Sequence, residues 1–151
     1  MIVDGYNVIH AWGMDIQNLE DARLDLLNIL DDYAGYTGEQ ITVVFDGYKT
    51  RKVMNELRHG LLTVVFTAHG VTADTYIQRT AKQSRTPLKV VTADYLEQLS
   101  VFASGSLRVT PDELKELIRQ ARGKHIRLLH RDSLTNEELK KRLYLDALTD
   151  N

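Results

Sequence analysis

Short apolar runs, most of them followed closely by an aspartate, are the feature that most constrains the fold of this chain. The runs cover residues 1–3, 41–45, 61–66 and 88–91. Asp4, Asp46 and Asp94 follow the first, second and fourth of them. Near-continuous apolar runs of this length are typical of buried strands in a mainly parallel sheet, because helices cover both faces of such a sheet.

Helical patterns separate these runs. Apolar residues recur every three or four positions from Leu19 to Ala34, which predicts an amphipathic helix ended by Gly35 and Gly38. Residues 74–83 have helical character and follow a capping residue, Thr72. Further helices are expected at residues 95–102, 111–122 (ending at Gly123) and 136–148, with 124–131 either an edge strand or helical. The alternation indicates an α/β fold with a mainly parallel sheet and helices on both faces.

Composition is that of an ordinary globular domain, with 43% hydrophobic and 26% charged residues. No linker, repeat or low-complexity segment divides the 151 residues, so a single domain over 1–151 is expected. The lack of cysteine excludes disulfides, thiolate zinc sites and cysteine nucleophiles. No secretory leader or membrane-length apolar run is visible, and a cytoplasmic location is expected.

Carboxylates should gather at one edge of the predicted sheet. Asp4, Asp46 and Asp94 follow strands, and Asp74 begins the helix after another strand. Each aspartate alone is explained equally well as a turn former or helix cap. Four together would repel one another unless a cation neutralised them, and all-oxygen ligands favour Mg²⁺ or Mn²⁺. Because Mg²⁺ commonly shares its ligands with substrate phosphates, phosphoryl chemistry is the class indicated.

Charge is segregated along the chain, although the net charge is only −2. Residues 15–40 carry a net −6, whereas residues 106–131 carry a net +4 and residues 78–89 hold four bases and no acid. A polyanionic substrate would experience such basic segments as a local positive field. Any one of them, taken alone, is equally a solvated helix face.

Other chemistries lack their motifs. There is no glycine-rich dinucleotide fingerprint and no Walker lysine loop, so no nucleotide cofactor is expected. No serine has a nucleophile-elbow context. Among the histidines, His10 and His69 lie nearest in sequence to the predicted acidic edge.

Four segments together resemble the NYN domains of the YacP type, which belong to the PIN-like nuclease superfamily. They read IVDGYNVI from Ile2, VVFDG from Val43, ADTYI from Ala73 and VVTAD from Val90. The likeness extends over nearly the whole chain. It implies a Rossmann-like PIN fold and a metal-dependent endoribonuclease that uses Mg²⁺ or Mn²⁺. In the bacterial YacP-type branch it further implies cleavage of mRNA on the ribosome.

The resemblance also implies residue roles. The positions that match the family's site motifs are Asp4, Asn7, Asp46, Asp74 and Asp94. Of these, Asp4, Asp74 and Asp94 would hold metal, Asp46 would complete or orient the cluster, and Asn7 would position substrate or water. The residues expected to contact RNA are Arg51, Lys52, Arg79, Lys82, Arg85, Arg122 and Lys124.

Two other functions remain open at this point. One is a non-catalytic module that binds RNA or the ribosome and keeps the same fold, although a full set of aspartates favours a working nuclease. The other is a small phosphatase with an aspartate nucleophile, which is disfavoured because no Asp-x-Asp pair follows any predicted strand.

Overall fold

A computed structural model of the protein describes residues 1–47, 55–94 and 103–128. Within these residues six strands form one sheet: β1 (Ile2–Asp4), β2 (Ile41–Phe45), β3 (Asn55–His59), β4 (Leu62–Phe66), β5 (Lys89–Val91) and β6 (Leu107–Val109). Their order across the sheet is β3-β4-β2-β1-β5-β6. All neighbouring strands are parallel except β3 and β4, which are antiparallel.

Four helices accompany the sheet in the described part of the chain: α1 (Gly5–Ala11), α2 (Leu19–Thr37), α3 (Ala73–Gln83) and α4 (residues 111–128). A short 3₁₀ turn at Ile16–Asn18 precedes α2. Alternate strand residues point to opposite faces, so the buried residues divide into two cores. Val3, Val43 and Phe45 pack with α1, α2 and α4 on one face, and Ile2, Val44 and Val90 pack with α3 on the other. The predicted α/β class, with a mainly parallel sheet and helices on both faces, is confirmed.

Several predicted boundaries were wrong for identifiable reasons. The sequence Asp4-Gly5-Tyr6-Asn7 predicts a loop after the first strand, but this segment begins helix α1, because Asp4 caps it and Gly5 leaves room for the ring of Phe45. Helix α2 continues through Gly35 and ends at Gly38, which adopts the left-handed conformation (φ 70°) that terminates helices. Helix α4 likewise runs through Gly123, since a glycine inside a helix costs only about 1 kcal/mol.

Two strands of the structure were not predicted from the sequence, and some predicted elements fall outside the described residues. Strand β3 is exposed at all five positions, and β6 has only three residues. Neither therefore produces an apolar run. The segment 124–131 is helical as far as residue 128. The predicted helices at 95–102 and 136–148, and residues 129–131, lie outside the described residues. In the ranges that are described, no helix is long and apolar enough to cross a bilayer.

Gly5 and Gly35 offer a matched test of this packing, because both lie inside helices. A Cβ on Gly5 would lie 2.2 Å from Cε1 of Phe45, whereas a Cβ on Gly35 would meet nothing within 4 Å. We expect Gly5→Ala to lower the free energy of unfolding by about 1–3 kcal/mol through overpacking. Gly35→Ala should raise it by about 0.5–1 kcal/mol. Urea denaturation measures both, and a neutral Gly5→Ala would contradict the close contact.

Candidate active site at the carboxyl edge of the sheet

Asp4 ends the central strand β1 and is only 6% exposed. It pairs in register with Val44 of β2, and strand alternation places both side chains on the face that α3 covers. The carboxylate of Asp4 also caps α1, since Oδ1 accepts a hydrogen bond from the backbone N–H of Asn7 at 3.3 Å. A nearly buried acid therefore lies where the middle strand stops.

Asn7 joins Asp4 to the end of β5. Its Nδ2 donates to Oδ2 of Asp4 at 3.1 Å, and its Oδ1 accepts from the backbone N–H of Ala93 at 2.9 Å. Ala93 is followed by Asp94, which is exposed and whose backbone N–H donates to Oγ1 of Thr92 at 3.1 Å. One side-chain amide thus holds Asp4 beside the segment that carries Asp94.

Asp46 is tied to the start of α3. Its Oδ1 accepts a hydrogen bond from the backbone N–H of Ala73, the first residue of that helix. The next residue, Gly47, donates its N–H to Oγ1 of Thr67 at 3.0 Å. A Cβ on Gly47 would lie only 1.6 Å from the carbonyl oxygen of Thr67. The ends of β2 and β4 therefore approach closely, and Asp46 is fixed against α3.

Asp74 lies in the first turn of α3, directly after the residue that Asp46 caps. Its Oδ1 accepts from Nε2 of Gln78 at 2.8 Å. Thr72 caps the same helix by accepting from the backbone N–H of Thr75 at 3.1 Å. A carboxylate is favourable at this helix end because the macrodipole is positive there.

The acids consequently form two linked groups at one edge of the sheet. Asn7 connects Asp4 with the chain before Asp94, and Asp46 connects through Ala73 with Asp74. The two groups are adjacent because β1 and β2 are paired and α3 contacts both strands.

The side-chain oxygens at this edge belong to carboxylates and an amide, which are the types of ligand that hard divalent cations prefer. Among the described residues, however, no three Asp, Glu or His side chains come together as a group that could hold a metal ion. Mg²⁺ typically takes only one or two carboxylates, with water and substrate phosphate completing its coordination. Ligation by Asp4, Asp74 and Asp94 stays a prediction.

The predicted RNA-contacting bases do not all share one face. Arg79, Lys82 and Arg85 are exposed in or just after α3, and no salt bridge links them to any residue that the structure describes. Arg122 and Lys124 are exposed on α4, which packs against the opposite face of the sheet. Arg51 and Lys52 lie outside the described residues.

Two threonines that support the site were missed in the sequence. Thr67 and Thr92 are buried directly after β4 and β5, and their hydroxyls accept from the backbone of the two acidic segments. Each follows an apolar run without a break, at 64–66 and 90–91. A hydroxyl in that position is the signal that could have identified them.

The fold and this acidic edge define a Rossmann-like α/β domain with a candidate site where the parallel strands end. The family model of the YacP-like NYN domain matches residues 1–150, and the chain belongs to that family. The protein YacP of Bacillus subtilis (strain 168) is 34% identical over 121 residues, which cover 76% of this chain and 71% of that protein.

Solved structures agree with this assignment. The crystal structure of the W164L mutant of Rae1 (YacP) from B. subtilis matches with a TM-score of 0.71 and 31% identity, over 87% of this chain and 81% of that one. A second crystal structure of Rae1 (YacP) also gives a TM-score of 0.71, with 29% identity over 98% of this chain and 89% of the other. Membership of the family supports a nuclease-like function related to RNA.

Asn7→Ala tests whether the Asn7 amide holds the site together. The change removes one hydrogen bond from the nearly buried carboxylate of Asp4, which should cost about 1–3 kcal/mol of unfolding free energy, and leaves the exposed N–H of Ala93 to water. The amide of Ala93 should also exchange faster with solvent. Asn28→Ala, at an exposed position of α2, is the control and should change stability by less than about 0.5 kcal/mol. Equal effects of the two substitutions would contradict the bridge.

Proposed function

We propose that this protein is a metal-dependent endoribonuclease that hydrolyses RNA phosphodiesters, acting on mRNA at the ribosome in the cytoplasm as a single domain over residues 1–151. The observation that carries the proposal is the bridge from Asn7 to Asp4 and Ala93, which holds a nearly buried carboxylate at the edge where Asp74 begins α3. Membership of the YacP-like NYN family supports the nuclease class. The ribosome as the place of action comes from the resemblance to the bacterial YacP-type branch.

The proposal gives each residue of the acidic edge a role. Asp4, Asp74 and Asp94 would hold Mg²⁺ or Mn²⁺, which supplies Lewis acidity toward phosphate oxygens when bound. Asn7 orients Asp4 through two hydrogen bonds. Asp46 keeps α3, and with it Asp74, against the end of β2.

The proposed reaction is the addition of one water molecule across a phosphodiester bond. A water oxygen bonds to phosphorus, the bond between phosphorus and the 3′ oxygen breaks, and a proton passes to that leaving oxygen. The products are a 5′-phosphate and a 3′-hydroxyl.

RNA would approach along α3. Asp74, Gln78 and Lys82 are four residues apart, so they share one stripe of the helix. At 1.5 Å of rise per residue, this stripe extends roughly 12 Å from the acidic edge. Lys82 and Arg85 lie at its far end and are exposed. They are placed to neutralise the flanking phosphates, which supplies affinity without sequence preference.

A non-catalytic module that binds RNA or the ribosome is the second candidate. The observation that favours it is that no three-residue metal group is present among the described residues. The two functions differ in one measurable respect, since only the nuclease cleaves RNA in a reaction that EDTA stops.

Asp4→Asn and Asp74→Asn test the proposed nuclease. Each removes one negative charge without changing side-chain shape, and we expect each to lower kcat at least about 100-fold, since metal ions contribute several kcal/mol of transition-state stabilisation. Gel assays of single-stranded RNA cleavage with Mg²⁺ measure the loss, and circular dichroism checks that the fold is retained.

Asp25→Asn is the matched control, because Asp25 is exposed on α2 across the sheet from α3. It should cleave like the original protein. Full activity in either purified site variant would refute the assignment.

A further inference from the structure

A cavity of about 410 Å³ opens beside Asp46. It is lined by Asp46, Gly47 and residues 68–72, which form the connection between β4 and α3. Since Asp46 caps the residue that precedes Asp74, the cavity shares a wall with the candidate active site. Its size falls within the usual range for small-molecule sites.

The walls of this cavity are mostly apolar. Its polar side chains already have internal partners, since Asp46 accepts from Ala73 and Thr72 accepts from Thr75. A phosphate would be repelled by Asp46, and among the residues that the structure describes no lysine or arginine lines the space to attract one. The other polar side chain that lines the cavity is the exposed imidazole of His69, and its neighbours in the lining are small or apolar residues.

A flat, uncharged aromatic ring is the kind of ligand that suits an apolar cavity lined by an exposed imidazole. Proteins that recognise RNA splay out single bases and stack them on aromatic side chains, among them histidine. Gly70 adopts a left-handed conformation (φ 83°), so the turn that carries His69 depends on a residue without a side chain.

We propose that this cavity is a nucleobase subsite in which the base next to the cleaved phosphate stacks on His69. The inference rests on the proposed function and deepens it in one respect: the substrate must be single-stranded at this point, because a paired base cannot enter the cavity. His69 is then a residue that binds and positions substrate.

The experiment uses fluorescence of 2-aminopurine, placed at each position in turn of a single-stranded 12-nucleotide RNA, with EDTA present to prevent cleavage. The full chain should quench the fluorescence at one position or two adjacent positions. His69→Ala should remove most of that quenching and weaken binding by about 5-fold or more, as expected for one lost base stack. His69→Phe keeps a flat aromatic ring at this position, so it should restore both the fluorescence quenching and the RNA affinity.

His59→Ala is the matched control. His59 is 83% exposed at the end of β3, next to the start of β4 and therefore at the opposite edge of the sheet. This variant should quench and bind like the original protein. The subsite would be overturned if His69→Ala quenched as strongly as the original protein. It would also be overturned if the original protein quenched 2-aminopurine at none of the positions.

Cleavage assays with Mg²⁺ separate this inference from the proposed function. His69→Ala should raise KM for single-stranded RNA about 5-fold or more while kcat changes little. If the original protein quenches through His69 but cleaves neither free RNA nor mRNA on ribosomes, the nuclease proposal fails and the base subsite stands as an RNA-binding site. If it cleaves RNA and His69→Ala changes neither KM nor quenching, the subsite fails alone.

Discussion

The side-chain amide of Asn7 connects two chain segments that are 86 residues apart. It donates to Asp4 at the end of β1 and accepts from Ala93 just beyond β5. An ionised carboxylate could not replace it, since such a group has no proton to donate to Asp4. Because Asp4 is almost completely buried, its charge needs hydrogen-bond donors to offset the lost hydration. The acidic edge therefore depends on an amide at this position.

Acidic side chains at the two edges of the sheet have different kinds of partner. At the amino edge, Glu39 lies just before β2 and forms an ion pair with Lys89 at the start of β5, with 3.1 Å between Nζ and Oε1. At the carboxyl edge, Asp46 and Asp74 accept from a backbone N–H and an amide, and neither forms a salt bridge with a residue that the structure describes. The acid at the amino edge is therefore paired with a cation, whereas Asp46 and Asp74 at the carboxyl edge are held by hydrogen bonds from uncharged donors.

Much of this arrangement could be predicted from the sequence, because the determining features are local. The β-branched run at 41–45 specifies a buried strand, and Thr72 specifies where α3 begins. Parallel strands have their carboxyl ends at one edge, so the aspartates that follow them could be expected together.

The rest depends on contacts between distant residues. Strand β3 is held by backbone pairing with β4 and buries no residue, so no side-chain pattern marks it. The start of α1 depends on the fit of Gly5 against Phe45, 40 residues later in the chain. The roles of Asn7 and Asp46 as connectors could not be predicted either, because their partners are fixed only when the strands pair. The distances between the acidic side chains depend further on side-chain rotamers, which spacing in the sequence does not determine.

The most direct test of a cation site at this edge is a crystal of the protein soaked with Mn²⁺ and measured for anomalous scattering. The expected result is an anomalous peak within direct coordinating distance, roughly 2.0–2.5 Å, of a carboxylate oxygen of Asp4 or Asp74. The same soak of the Asp74→Asn variant should show a weaker peak or none. A fully occupied Mn²⁺ elsewhere on the molecule, with no peak at the carboxyl edge, would contradict the central claim.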